Sequence, residues 1–187
     1  MQKVCLFIAL GFLALSSITA QDPPTICLRP MRPGTTCDTA EPSIRFHYDN
    51  DTGLCFAFKY NGCGGNKNNF DSAGMCRSTC NPTVIPWCPV KSTPLPNADG
   101  SYTCSLDSDC ERPNAYCMTR LTGKGLCCRK PVADKVAADY APNCATGRHV
   151  VQMNDEVLIG YNCSSNFCPE NSNCRKGNYF SACCGKD

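Results

Sequence analysis

The chain has 187 residues, with 18 Lys and Arg set against 16 Asp and Glu, and only two histidines. A balance this near neutrality argues against a nucleic-acid partner, which would favour a basic patch, and lends nothing to an anionic membrane surface. Eighteen of the 19 cysteines follow residue 20 and make up about 11% of that stretch, above the 8–10% level that marks a disulfide scaffold.

Residues 1–20 read as a signal peptide. Lys3 gives a positive start, Val4 to Leu15 is an apolar run of twelve, and Ser16 to Ala20 is a small-residue exit. The run is shorter than the roughly 20 residues a membrane span requires. Cleavage after Ala20 exposes Gln21 and removes Cys5, leaving an even eighteen cysteines. An oxidising, extracellular compartment makes these pairs rather than thiols. Small units cannot bury enough apolar surface to offset chain entropy, and cross-links compensate by restricting the unfolded state.

Gln21 to Ile26 is a polar, proline-bearing lead. Cys27, Cys37, Cys55, Cys63, Cys76 and Cys80 follow with gaps of 9, 17, 7, 12 and 3 residues. Ile44 to Tyr48 and Leu54 to Tyr60, rich in β-branched and aromatic residues, flank the turn cluster Asp49 to Gly53, which predicts a β-hairpin. Asp71 or Ser72 caps a short helix running to about Cys80. Cys76 and Cys80, four apart, share one of its faces. Asn81 to Trp87 reads as a linker, its two prolines discouraging regular structure.

Beyond the linker the chain repeats itself. Cys88, Cys104, Cys110, Cys117, Cys127 and Cys128 have gaps of 15, 5, 6, 9 and 0. Cys144, Cys163, Cys168, Cys174, Cys183 and Cys184 have gaps of 18, 4, 5, 8 and 0. Each set has a long opening loop, two short gaps, a medium gap and a terminal Cys-Cys. Six cysteines allow fifteen pairings, so connectivity is not readable; adjacent cysteines strain a mutual bridge and reach to different partners. Arg129 to Asn143 separates the copies, its Ala-rich middle suited to one helical turn. By cysteine spacing, 88–128 and 144–184 resemble the lustrin-type repeat of extracellular and matrix proteins.

With Phe58, Gly62, Cys63 and Phe70 at their places between Cys55 and Cys76, residues 27–80 resemble a Kunitz-type inhibitor domain. The resemblance implies a twisted hairpin with a C-terminal helix and bridges Cys27–Cys80, Cys37–Cys63 and Cys55–Cys76. It also implies structural roles for Asn68, Asn69 and Phe70. In that family the residue after the second cysteine enters the specificity pocket of a serine protease, which places the reactive loop at Cys37, Asp38 and Thr39. A trypsin-like pocket already holds a buried carboxylate, and Asp38 against it would leave like charges in a low-dielectric site. An apolar pocket would strip Asp38 of water without giving it a partner. Glu41 adds more negative charge, and one extra residue before Cys37 and two after it lengthen the loop. Inhibition of trypsin or chymotrypsin is therefore not expected. A protease with a basic pocket, a protease bound through another surface, and a non-inhibitory recognition module remain open.

Other chemistry is sparsely supported. His47 is expected on the hairpin surface, and His149 in a solvated opening loop, with no nucleophile near either. Even cysteine numbers and the lack of CxxC pairs favour disulfides over zinc. Asp107-Ser108-Asp109 lacks the spaced oxygen ligands of a calcium loop. Asn50-Asp51-Thr52 and Asn162-Cys163-Ser164 are N-glycosylation sequons, Asn50 standing at the predicted hairpin tip. The sequence thus points to a small disulfide-rich α+β protein, secreted and non-enzymatic, without metal or cofactor, held by nine disulfides. Its expected function is that of a Kunitz-type serine protease inhibitor-like protein regulating extracellular proteolysis, similar to secreted nematode proteins associated with the cuticle. The alternative is a non-inhibitory component of extracellular matrix or cuticle. The partner is accordingly an extracellular serine protease or a matrix protein, with no nucleic acid or membrane involved.

Overall fold

The computed structural model describes residues 23–81, 87–119 and 123–186. Residues 1–20, where a signal peptide is expected, and the heart of the linker, 82–86, lie outside the described residues. Strands β1 (Ser43–Asp49) and β2 (Leu54–Tyr60) form an antiparallel hairpin in which His47 faces Phe56 and Tyr48 faces Cys55. Asp49 closes the turn, its carboxylate accepting from the Thr52 N–H at 2.8 Å and the Thr52 hydroxyl at 2.7 Å. Helix α1 (Ala73–Cys80) starts at Ser72, whose hydroxyl accepts from the Met75 N–H at 3.0 Å. Disulfides Cys55–Cys76 and Cys27–Cys80 staple one helix face to the sheet and to the N-terminal segment. This is the expected disulfide-rich α+β architecture.

The two C-terminal repeats share one plan. The first carries a 3₁₀ turn at Asp107–Asp109 and strands β3 (Thr103–Cys104), β4 (Ala115–Thr119) and β5 (Gly125–Arg129) in the order β3-β5-β4. Helix α2 (Lys130–Tyr140) links it to the second, where β6 (Arg148–Val150) is followed by the small hairpin β7 (Gln152–Met153) and β8 (Glu156–Val157). Strands β9 (Ile159–Gly160), β10 (Ser172–Lys176) and β11 (Ser181–Lys186) complete it, with β11 pairing β6, β9 and β10. Asn114 and Asn171 both take left-handed φ, +59° and +63°, and their carbonyls accept from the Lys130 and Lys186 N–H groups.

In each copy the first cysteine bonds the sixth, the second the fourth and the third the fifth. The bonds are Cys88–Cys128, Cys104–Cys117 and Cys110–Cys127, then Cys144–Cys184, Cys163–Cys174 and Cys168–Cys183. Adjacent strand residues point to opposite faces, so each terminal Cys-Cys reaches two partners on two sides. This connectivity was beyond reach of the spacing alone.

Three expectations need correction. The inter-repeat segment holds an 11-residue helix, not one turn; Pro131 sits at its start, where the missing N–H goes unused. His149 lies in β6, not a loop, though its side chain is exposed. His47 is buried, with only 6% of its surface exposed, because the hairpin has no bare face.

That second face is covered by the second repeat. Phe56 is fully buried, its ring 4.7 Å from Phe180 and 5.6 Å from Tyr161. Ile159 and Ala182 join this cluster, with Val90 of the first repeat and Val136 of α2 packed against it. His47 sits beside it, edge-on to Phe58 at 5.6 Å. Burial pushes its imidazole pKa down, against weaker upward pulls from the Tyr48 carbonyl and Asp49. On the helix side, Arg77 of α1 grips Glu156 of β8 with two hydrogen bonds of 2.7 and 2.5 Å. Trp87 lies against Gly53 at the hairpin tip, and Lys91 Nζ donates to the Asn50 carbonyl. All three units therefore converge on the hairpin. Among the described residues no helix is long and apolar enough to cross a membrane.

Asp139 locks α2 to the β10–β11 turn. Buried to 4% exposure, its carboxylate accepts from the N–H groups of Asn178, Tyr179 and Phe180 at 2.6, 2.7 and 3.0 Å. Burial pushes its carboxyl pKa up, but these donors and the Asn178 amide outweigh burial and hold it below the usual range. A depressed folded pKa gives stability that is complete above the unfolded carboxylate value of about 3.9 and is lost as pH falls through the folded one. Asp139→Ala should cost about 2–3 kcal/mol at neutral pH. In denaturant titrations the gap between parent and variant should narrow below about pH 4.

Candidate functional site

The exposed end of the first unit is built from two tied loops. The 30–37 segment and the 60–66 turn exchange backbone bonds, Thr35 N–H to Cys63 O at 2.8 Å and Cys63 N–H to Thr35 O at 3.0 Å. The Asn61 N–H donates to Pro33 O, the Asn61 amide to Gly34 O, and the Asn66 amide to Pro30 O, at 2.8–3.1 Å. The Cys37–Cys63 disulfide closes the end.

Beneath it, Asn68 is almost fully buried. Its Oδ1 accepts from the Tyr48 N–H at 2.8 Å, and its Nδ2 donates to Arg29 O at 2.7 Å and Tyr48 O at 2.8 Å. One amide thus satisfies main-chain groups of two segments that have no ladder between them. Asn69 Oδ1 accepts from Arg45 Nε at 2.8 Å, and Arg45 also pairs with Asp71. Phe70 is buried and bridges the backbone of Phe46.

Cys37 and Ala40 form an antiparallel bridge, with Asp38 and Thr39 as the two residues of the turn between them. The lengthened segment after Cys37 has therefore folded back on itself. The Thr39 hydroxyl lies 3.4 Å from both sulfurs of Cys37–Cys63 and pins the turn to the bridge. Asp38, Thr39, Ala40 and Glu41 are all exposed. Gly62, at φ +110°, allows the approach, since a Cβ there would come within 2.4 Å of Ala40 O.

Sequence reasoning missed the neighbour of this loop. Glu41, Pro42 and Ile44, where the loop leaves the turn, face Phe167, Pro169 and Glu170 of the second repeat across a groove of about 660 Å³. A partner seated on the turn would meet the second repeat as well.

The other candidates are held apart from this end. The Asp107 carboxylate accepts from the Cys117 N–H and ties the turn to β4, while Asp109 accepts from the Ser105 and Leu106 N–H groups within the turn itself. The sulfurs of Cys104, Cys110 and Cys117 cluster within 4.8 Å, yet each is consumed in a disulfide. Asn50 is exposed at the hairpin tip. Asn162 caps a 3₁₀ turn, its Oδ1 accepting from the Ser164 N–H at 3.0 Å.

Gly62→Ala should strain the loop through both its φ and the contact with Ala40. A loss of about 1–3 kcal/mol is expected, together with faster reduction of Cys37–Cys63 relative to the other bridges, read by mass spectrometry after partial reduction.

The Kunitz/bovine pancreatic trypsin inhibitor domain profile matches residues 26–81. Over 168 residues the chain is 30% identical to the major allergen Ani s 1 of Anisakis simplex, covering 86% of this chain and 87% of that one. A BPTI/Kunitz inhibitor domain-containing protein of Caenorhabditis elegans is 32% identical over 162 residues, covering 84% and 88%. The Kunitz-type serine protease inhibitor 1 of Vipera ammodytes ammodytes is 38% identical over 84 residues, 43% of this chain and 90% of that one. The first two relatives run into the cysteine-rich C-terminal region, and nine disulfides in such a family mark an extracellular protein without enzymatic chemistry. The chain belongs to the Kunitz/bovine pancreatic trypsin inhibitor domain family, with a further cysteine-rich region after the inhibitor domain.

Proposed function

We propose that the protein is a secreted Kunitz-type inhibitor-like protein that regulates extracellular proteolysis by engaging a serine protease with a basic specificity pocket. Asp38 carries this reading: its carboxylate is exposed at the tip of a turn held by Thr39 and the Cys37–Cys63 bridge. Rigid presentation limits the entropy lost on binding. The charge of Asp38 selects against trypsin-like pockets and for a cationic one.

A second reading draws on the same turn. Substrate-like binding uses an extended chain that adds to the partner as a strand, and a chain doubled back between Cys37 and Ala40 presents no such strand. On this reading the Kunitz unit is a recognition module of extracellular matrix or cuticle, consistent with lustrin-type repeats at 88–128 and 144–184. Under either reading residues 1–20 serve as signal peptide. Asn50, exposed and with its amide nitrogen unengaged among the described residues, is a better glycan acceptor than Asn162 beside the bonded Cys163.

An inhibition panel on the folded protein separates the two. The parent should inhibit an acid-preferring serine protease and not trypsin. Asp38→Lys should reverse that preference by more than about 100-fold, as a buried like-charge clash becomes an ion pair. If neither protein inhibits any member, the inhibitor reading fails and the recognition reading stands.

A further inference from the structure

The first repeat and helix α2 enclose a groove of about 470 Å³ whose walls are apolar and stiff. Leu95, Pro96, Pro113, Pro131 and Val132 line it. Three of these five are prolines, and the adjoining backbone is held by Cys110–Cys127, by Cys88–Cys128 and by the Leu95 N–H on Cys127 O at 2.8 Å. Little order is lost when a ligand enters such a site.

Two arginines, Arg112 and Arg129, also line the groove, and both are exposed. Arg112 is pre-set: its Nε donates to Pro96 O at 3.1 Å, and its terminal nitrogens have no hydrogen-bond partner among the described residues. The ion pairs among the described residues are Arg45–Asp71, Arg77–Glu156 and Lys130–Asp134, so neither groove arginine has an acidic partner there. Among the described residues no carboxylate lines the groove.

The second repeat provides an internal control. The Ala115 N–H bonds Arg112 O just as the Ser172 N–H bonds Pro169 O, and Ala115 faces Arg129 just as Ser172 faces Gly185. The same backbone therefore stands with proline and glycine where the first repeat has two arginines. Their charge is not a demand of the fold.

We propose that this groove docks an extended acidic segment of a partner protein, one bulky apolar side chain seated among the prolines and flanking carboxylates bound by Arg112 and Arg129. Planar guanidinium forks suit carboxylates, and a site of this volume suits one large side chain with its backbone. The position, on the first repeat, is separate from the Asp38 turn.

The test titrates the full chain into two fluorescein-labelled peptides, one with a central phenylalanine among glutamates and one with the glutamates replaced by lysines. The acidic peptide should bind saturably, more weakly in high salt, and should shift the NMR signals of Leu95 and Val132. Arg112→Glu/Arg129→Glu should weaken it at least about tenfold, and the lysine peptide should not bind. Should that pair of changes disturb folding, Arg129→Gly, the residue the second repeat tolerates, should still weaken binding in a protein of unchanged circular dichroism. Equal binding of both peptides, unaltered binding by the arginine variants, or no saturable binding up to about 1 mM would overturn the proposal.

Discussion

A two-stranded hairpin has too little apolar surface to stand alone in water, and the burial of both faces of β1–β2 is the constraint around which this chain is arranged. One face meets α1 through Cys55–Cys76; the other meets the second repeat through Phe56. Burying an aromatic of this size contributes about 1.5–3 kcal/mol, and Phe56 and Phe180 bury each other. Disulfides supply what the small cores cannot. Cys27–Cys80 closes a loop at a sequence separation of 53, and Cys88–Cys128 and Cys144–Cys184 close loops at a separation of 40 each, so the unfolded chain is restricted over most of its length.

Docking has a consequence for the exposed end. The Cys37–Cys63 disulfide fixes the Asp38 turn, and Glu41 and Pro42, where the chain leaves it, stand across the groove from Phe167, Pro169 and Glu170. Kunitz unit and second repeat thus present a composite surface, broader than the loop itself. The Arg77–Glu156 pair and the Lys91 contact with the Asn50 carbonyl reinforce the same arrangement from α1 and from the first repeat. Exposed ion pairs of this kind add little stability. Their role is orientation.

Local signals carried well into the sequence reading. Runs of β-branched and aromatic residues around Asp49 to Gly53 mark the hairpin, Asp71 or Ser72 marks the helix start, where the structure uses Ser72, and the doubled cysteine pattern marks the repeats. What escaped was set by distant partners. Nothing near His47 reveals that Phe180, far along the chain, brings a cover to its face of the hairpin. The helix after Arg129 runs well past the single turn that its Ala-rich middle suggests, and Pro131 does not stop it because it stands in the first turn, a position that helices accept. At the candidate site, Asp38 and its charge were legible, but the fold-back onto Ala40 depends on Gly62 and on Thr39 meeting the bridge sulfurs. The arginine-lined groove needs α2 as a wall, so no linear motif announces it.

The rest of the arrangement depends on the convergence of the modules on Phe56. Nuclear Overhauser contacts in the intact, oxidised chain test it directly. Cross-peaks are expected between the ring protons of Phe56 and those of Phe180 and Tyr161, with Phe56 protected from solvent relaxation agents. A chain in which Phe56 gives no contact to either ring and relaxes as a solvent-exposed side chain would be beads on a string, and would contradict it.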